Sequence, residues 1–113
     1  MLFEPDRHEA LCTTAWDAVQ AQQAIQTIAR DAELARLPQG HWPVHPLDLD
    51  GGDPVPPTGY HSIYLGSAGV IWALWYLQRV GAVDSTLDAQ SAIARASDSY
   101  RSAPDTGEVV PSY

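Results

Sequence analysis

The side chains that could bind zinc by their type and spacing are two histidines in a loop. His41 and His45 have the H-x-x-x-H spacing of a zinc-binding helix, but Pro43 lies between them and no glutamate follows the first histidine. Proline at that place excludes the helix that the motif requires. The sequence therefore predicts ordinary loop hydrogen bonds for both rings, and no metal site.

A second metal-like pattern follows directly. The three aspartates of DLDGGD, Asp48, Asp50 and Asp53, resemble the start of a calcium loop. The later ligand positions of that loop do not match, because Gly52 and Gly59 stand where oxygen ligands are required. A solvated acidic turn is the predicted structure.

One further pair of possible metal ligands lies near the start of the chain. His8 and Cys12 are four residues apart and would share one face of a helix. Two ligands do not make a structural zinc site, and a nucleophilic cysteine would need an orienting group. Cys12 is predicted to be an ordinary small side chain packed near Trp16.

Trp72 and Trp75 could form a stacking surface for a sugar or a base. They lie at helical spacing within an apolar run, however, and such tryptophans belong to a protein core more often than to a binding platform. The sequence predicts that both are buried.

Composition and charge exclude several classes of function. The chain has 113 residues, with 14 acidic side chains, six arginines, no lysine and a net charge of -8, which disfavours binding to nucleic acid or to anionic membranes. Cys12 has no partner for an internal disulfide, and the N-terminal residues lack the pattern of a signal peptide. The apolar run that starts at Gly69 is too short to cross a bilayer. A cytoplasmic protein without a membrane or nucleic-acid partner is expected.

The elements that would position these side chains begin with one long amphipathic helix, predicted over residues 7–36. Asp6 and Glu9 form a D-x-x-E capping box at its start, and Pro38 and Gly40 end it. Mostly small side chains recur at spacings of three and four, which predicts a stripe that a neighbouring helix could approach closely. The stripe consists of Leu11, Thr14, Ala18, Ala21, Ile25, Ile28, Ala32 and Ala35.

A long loop is predicted over residues 38–60. This stretch holds six prolines and four glycines, a composition that disfavours any regular element. Trp42, Val44 and Leu47 are expected to pack the loop against the rest of the chain. Loops of this length inside compact domains tend to be functional or to cover a larger structure.

Two further helices are predicted after the loop, over residues 67–80 and 86–101. Gly81 would stop the first of them, and Ser85 with Asp88 would cap the second. No alternating strand pattern competes with these helices, so the predicted fold class is all-α. The third helix would bury a thin stripe of Ala89, Ile93, Ala96 and Tyr100.

The second predicted helix has an unusual entry. In YHSIYLGSAGVIWALWYL, Gly66 and Gly69 lie three residues apart, directly before an apolar run. A helix that is apolar all round cannot face water, and a glycine pair at its start indicates a tight turn or close backbone approach.

This stretch resembles the first glycine repeat of the lanthionine synthetase C-like proteins, in which helices begin around a Gly-x-x-Gly motif followed by apolar residues. Ser62, Tyr64 and Ala68 beside Gly66 and Gly69 carry the resemblance, together with the apolar continuation. It covers mainly residues 60–80, with weaker support from the first helix and the loop before it.

The resemblance implies a toroid of paired α-helices, an α/α barrel in which inner helices are enclosed by an outer ring. Residues 1–113 would be an N-terminal, incomplete segment of that domain and would serve as scaffold. Gly66 and Gly69 would be its motif residues, allowing the tight entry to an inner helix. Partners would be the rest of the toroid, or a second copy through the segment from Val70 to Val80.

The family's reaction adds a cysteine thiol to a dehydrated serine or threonine of a peptide, or uses glutathione in some branches, with a zinc ion that activates the thiol. The family's zinc ligands are two cysteines and a histidine, including a Cys-His-Gly run, and this chain has neither that run nor a second cysteine. No catalytic or metal-binding residue is assigned, and zinc is expected only in the full-length fold. Beyond Tyr113 the resemblance predicts another Gly-x-x-Gly repeat, and later the zinc ligands.

Two other functions fit the same helices. In an unrelated sugar-processing α/α-barrel enzyme, acidic residues near helix ends, such as Asp48 or Asp53, would be catalytic. In a small helical interaction module, the segment from Val70 to Val80 would be the partner-binding face.

Overall fold

The computed structural model describes residues 13–49, 56 and 59–105, and this part of the chain is all-α, as predicted. It contains three α-helices: α1 (Ala18–Leu34), α2 (Ser67–Arg79) and α3 (Ala89–Ser102). A short 3-10 helix, Pro46–Asp48, lies in the loop between α1 and α2, and the described residues contain no strand. None of these helices is both long and apolar enough to cross a membrane.

The first helix starts later than the sequence predicted. Residues 13–17 are not helical, so the continuous helix over residues 7–36 is wrong in that stretch. Asp17 is the N-cap, and its Oδ1 accepts hydrogen bonds from the amides of Val19 (2.9 Å) and Gln20 (3.1 Å). An aspartate that satisfies two free amides defines a helix start. The predicted capping box of Asp6 and Glu9 lies outside the described residues.

The buried face of α1 is rotated from the predicted stripe. Ala29 is its buried residue, and Ile25 and Ala32 pack beside the core, whereas Ile28 is largely exposed. The reason is that the segments hydrogen-bonded to α1 are loops rather than a neighbouring helix. The indole nitrogen of Trp42 donates to the carbonyl oxygen of Ala32 at 2.6 Å, and Gln22 donates to the carbonyl oxygen of Ala82 at 2.6 Å.

Of the three loop residues predicted to pack against the rest of the chain, one is buried in the core. Trp42 is buried in the core, Val44 is half-buried, and Leu47 is exposed. The short 3-10 helix corrects the expectation that the prolines exclude every regular element. It forms because Pro46 occupies its first position, where a missing amide hydrogen costs nothing.

Helix α2 ends where the sequence placed its stop. Gly81 has a φ of +72°, its amide donates to the carbonyl oxygen of Gln78 (3.0 Å), and the Ala82 amide donates to that of Leu77 (2.9 Å). These two bonds are the Schellman motif, in which glycine adopts a left-handed conformation without strain.

Helix α3 packs against α2 and starts three residues later than predicted. Asp88 is the N-cap and accepts from the amide of Ser91, while the Ser85 hydroxyl accepts from the amide of Leu87 before the helix begins. Ser85 also donates to the carboxylate of Glu33, which ties this turn to α1. The buried positions of α3 are Ala92 and Ala96, so the predicted burial of Ile93 is wrong.

The core is made of small contributions from all three helices and two connections. Its buried members are Ala29, Trp42, Ile71, Leu74, Val83, Leu87, Ala92 and Ala96. Because four of the eight are alanine or valine, the core buries little area for each residue.

The two tryptophans of α2 lie outside this core, which corrects their predicted burial. Trp72 is 55% exposed and Trp75 is 40% exposed, because Ile71 and Leu74 occupy the face of α2 that contacts the core. The exposed rings have local partners: Trp72 stacks on Tyr76 at 5.7 Å, and the Arg79 guanidinium lies over the Trp75 ring at 5.7 Å.

Candidate functional site

The candidate site is the entry to α2, where Gly66 and Gly69 bring two backbone segments together. The chain folds back so that carbonyl oxygens of residues 60–62 accept amides from the first turn of α2: Tyr60 from Ser67 (2.9 Å), His61 from Ala68 (3.2 Å) and Ser62 from Gly66 (3.1 Å). These bonds satisfy amides that a helix start leaves free.

Both glycines are required by this close approach. A Cβ on Gly66 would collide with the backbone of Tyr60 and His61, and one on Gly69 would collide with the carbonyl oxygen of Ile63. Gly66 has an extended conformation that other residues can adopt, with φ of -140°. Its need for glycine therefore comes from space and not from its dihedral angles.

His61 connects this entry to the end of α3. Its Nδ1 lies 2.7 Å from Asp105 Oδ1, and its Nε2 lies 2.8 Å from the hydroxyl oxygen of Ser99. The Asp105 carboxylate also accepts the backbone amides of His61 (2.9 Å) and Ser62 (3.1 Å). Since an ionised carboxylate only accepts, the Nδ1 of His61 donates to Asp105.

A second buried histidine lies beside the first. The His41 and His61 rings meet edge to face with centroids 5.2 Å apart, and they are 4% and 6% exposed. His41 Nδ1 lies 3.2 Å from the Ser67 hydroxyl oxygen, and that hydroxyl donates to the carbonyl oxygen of Tyr60 at 3.3 Å. The Ser67 oxygen therefore accepts from His41, which holds the loop before α2 against the start of the helix. We call these five side chains, His41, His61, Ser67, Ser99 and Asp105, the histidine cluster.

The order Ser99, His61, Asp105 matches the hydrogen-bond chain of a serine hydrolase triad. A triad also needs room for an acyl group next to the serine and donors for the oxyanion. Cavities of about 590 and 170 Å³ lie in the described part, and neither of these is lined by Ser99, His61 or Asp105. The arrangement is suited to fixing three chain segments together.

The environment of His41 lowers the pKa of its imidazole. Burial disfavours the charged ring first, and the nearby His61, Arg36 and Arg95 add positive charge. The unfolded chain binds a proton at this residue near the usual value of about 6.5, while the folded chain binds it only at lower pH. Acidification through that range therefore favours unfolding.

We expect the urea concentration at the midpoint of unfolding to decrease when the pH is lowered from about 7.5 to about 5.5. In His41→Asn this decrease should be smaller. The matched control is His45→Asn, because His45 is exposed and its ring accepts a hydrogen bond from the Leu47 amide at 3.2 Å. Urea titrations at both pH values measure the effect. An unchanged pH dependence in His41→Asn would contradict the assignment.

Of the residues that the sequence considered as metal ligands, the structure describes His41, His45 and Asp48, and it does not place them together as a metal site. His41 and His45 each make a loop hydrogen bond, to Ser67 and to the Leu47 amide. Asp48 lies exposed in the 3-10 helix, and Asp50, Asp53, His8 and Cys12 lie outside the described residues. No three His, Cys, Asp or Glu side chains of the described part are placed to hold a metal ion.

Sequence reasoning did not identify His61, Ser99 and Asp105. Ser99 is 38 residues and Asp105 is 44 residues after His61, so no local spacing connects them to the histidine. The one available signal was the position of His61 in YHSIYLG, immediately before the glycine pair.

An open apolar groove of about 590 Å³ lies between α1, α2 and the intervening loop. Its walls include Ile28 and Ala32 of α1, Trp42 of the loop, and Gly69, Val70 and Trp72 of α2. The glycine pair therefore borders both the histidine cluster and this groove.

Comparisons of the chain with protein-family models, with curated proteins and with solved structures gave no match. What the structure itself establishes is that residues 13–49, 56 and 59–105 are all-α, with α2 and α3 packed together.

Proposed function

We propose that this chain is a scaffold-forming segment of a lanthionine synthetase C-like α/α toroid. The observation that carries the proposal is the glycine-dependent entry to α2 followed by a helix whose outer side is apolar and uncovered. Trp72, Trp75 and Tyr76 are exposed on α2, and Trp72 also lines the groove, whose walls are mostly apolar. Exposed apolar surface of this kind marks a face that another element covers.

In this proposal α2 is an inner helix and the histidine cluster fixes its entry. His61 and Asp105 connect the loop before α2 to the end of α3, so the two helices are held as one unit. Stacked units of a repeat fold bury one another's faces, which is why a single unit leaves its own apolar side open. Residues 1–113 are then the N-terminal part of the domain, and the next unit covers Trp72 and Trp75.

The described residues do not fit the zinc chemistry of that family. They place no set of three ligand side chains together, and the sequence has a single cysteine. We therefore assign no catalytic step to this chain. Thiol addition to a modified peptide, and the zinc ion it needs, belong in the proposal to the full-length protein.

A second candidate function is a small interaction module that uses the segment from Val70 to Val80 as its binding face. The same exposed aromatic side chains favour it. The two proposals differ in what lies beyond Tyr113: the scaffold proposal expects another Gly-x-x-Gly before an apolar helix in the parent transcript, and an end of the reading frame there would favour the module.

We expect the purified chain to self-associate with rising concentration, because α2 exposes its aromatic side to water. Trp72→Glu should shift sedimentation velocity profiles towards the monomer. Trp16→Glu is the matched control, since Trp16 is 83% exposed and lies before α1, away from the groove. A stable monomer at all concentrations would contradict the scaffold proposal, and a single defined oligomer would favour the module.

A further inference from the structure

Large apolar side chains that line the groove are exposed in the described part of the chain. Five of them have more than half of their surface in water: Ile28, Ile63, Tyr64, Leu65 and Trp72. Three of the five follow one another in the loop before α2, so the exposure is concentrated at one wall. Apolar surface grouped in this way favours a segment that covers it. A groove of about 590 Å³ has room for several side chains of such a segment.

Asp105, where the description of the chain stops, is held beside that wall. Its carboxylate accepts the backbone amides of His61 (2.9 Å) and Ser62 (3.1 Å), and Ser62 directly precedes Ile63. The His61 ring holds the same carboxylate through Nδ1 at 2.7 Å. Because consecutive Cα atoms are about 3.8 Å apart, the chain that follows Asp105 starts close to the groove.

The residues that follow Asp105 have a sequence suited to an apolar groove. Residues 106–113 read TGEVVPSY, with Glu108 as the single charged side chain. Two β-branched valines directly before a proline favour extended backbone. A segment that already favours its bound conformation loses less entropy on docking. Side chains alternate between the two faces of an extended chain, so one face of this segment carries Val109, Pro111 and Tyr113.

The segment is long enough to lie along the groove. Val109 is four residues after Asp105, so extended backbone carries it up to about 14 Å from that anchor. The part of α2 that lines the groove, from Gly69 to Leu77, is about 12 Å long. Residues 1–12 also hold apolar side chains, but they lead into α1 at Ala18, about 15 Å along the helix from Ile28 in the groove wall.

We propose that residues 106–113 lie in the apolar groove, with the face of Val109, Pro111 and Tyr113 against its walls. The hydrogen bonds of Asp105 hold the start of this segment, so the chain covers its own groove. Trp75 and Tyr76 are exposed and do not line the groove, which leaves them open to a partner. The inference does not rest on the scaffold proposal, because it uses residues of this chain alone.

Disulfide cross-linking of the full chain tests the position of the segment, in a Cys12→Ser background that leaves the introduced thiols as the reactive pair. Val109→Cys is combined with Ala73→Cys, because Ala73 lines the groove. Oxidised glutathione supplies the oxidant. We expect the intramolecular disulfide to form about tenfold faster or more than in the control pair, since docking raises the effective concentration of one thiol near the other.

The matched control pair is Val109→Cys with Ser97→Cys. Ser97 is exposed on α3 and does not line the groove. It lies about 8 Å along the helix from Ser102, so the segment can also reach it. Equal rates for the two pairs would show that the segment does not occupy the groove, and the proposal would be wrong.

A non-reducing gel distinguishes the other occupants. A disulfide-linked dimer of the Val109→Cys, Ala73→Cys chain would assign the groove to a second copy and overturn the proposal. Leu2→Cys with Ala73→Cys is oxidised in parallel. Faster linking of this pair than of the Val109 pair would assign the groove to the N-terminal residues, and the proposal would again be wrong.

Nitrogen-15 NMR of the indole N–H groups gives a second readout without cysteines. Val109→Asp should move the signal of Trp72, which lines the groove, and leave that of Trp16 unchanged. Ser112→Asp adds the same charge on the opposite face of an extended segment and is the control. A Trp72 signal that moves no more in Val109→Asp than in Ser112→Asp would contradict the docked segment.

Discussion

Replacing Gly66 with alanine is expected to lower the free energy of unfolding by about 3 kcal/mol or more. The new methyl group would collide with three backbone atoms, the carbonyl carbon and oxygen of Tyr60 and the amide nitrogen of His61. Backbone cannot rotate away as a side chain does, so the loop would have to leave the first turn of α2. The hydrogen bonds from Ser67 and Ala68 to this loop would be lost with it. Urea unfolding followed by circular dichroism measures the change.

Gly81→Ala is the matched control for this prediction. Gly81 has a left-handed φ of +72°, but a Cβ there would meet nothing within 4 Å. Alanine should therefore cost only the conformational penalty of about 1 kcal/mol. If the two variants lost the same stability, the cost at Gly66 would not arise from crowding, and the close approach of the two backbone segments would be contradicted.

The second large effect is expected for Asp105→Ala, which should destabilise the chain by about 3 kcal/mol. This one carboxylate accepts the Nδ1 proton of a buried imidazole and the backbone amides of His61 and Ser62. Alanine would leave all three donors without their partner, and two of them belong to the buried His61. Because the bonds join the α2 entry to the end of α3, backbone amide hydrogen exchange should also rise at Ser67 and Ala68.

Asp98→Ala serves as the comparison for Asp105→Ala. Asp98 forms an ion pair with Arg101 at 3.6 Å, and both side chains are more than two-thirds exposed, so its removal should change stability by less than about 0.5 kcal/mol. Equal losses in both variants would show that Asp105 contributes no more than a surface charge. Asp105→Asn keeps one acceptor oxygen and should fall between the two.

Residues close together along the chain determined most of what the sequence predicted correctly. The 3.6-residue repeats located all three helices of the described part, and Gly81 marked the end of α2. Helix capping and helical periodicity depend on residues within one or two turns of each other, and these can be identified directly in the sequence. The predicted starts of α1 and α3 failed because several polar residues could cap each helix. In the structure, Asp17 and Asp88 are the N-caps, at the last extended residue before each helix begins.

The faces that became buried could not be obtained in the same way. Periodicity shows that a helix has an apolar side, but the choice between Ile28 and Ala29, or between Trp72 and Ile71, depends on which segment packs there. In α1 that segment is a loop carrying Trp42, so a small alanine lies inside and a larger isoleucine outside. In α2, Ile71 and Leu74 lie in the core, and both tryptophans are left exposed.

By itself the sequence determined an all-α chain with a glycine-dependent entry to an apolar helix, because helix periodicity, caps and the need for glycine at close approach are local properties. The tertiary structure alone decided that His61 meets Ser99 and Asp105. These groups are far apart in the chain, and they come together only when α3 packs on α2 and the long loop closes over them. The free energy for that closure comes from burying the shared core. Local sequence patterns therefore do not predict which polar groups the folded chain brings into contact.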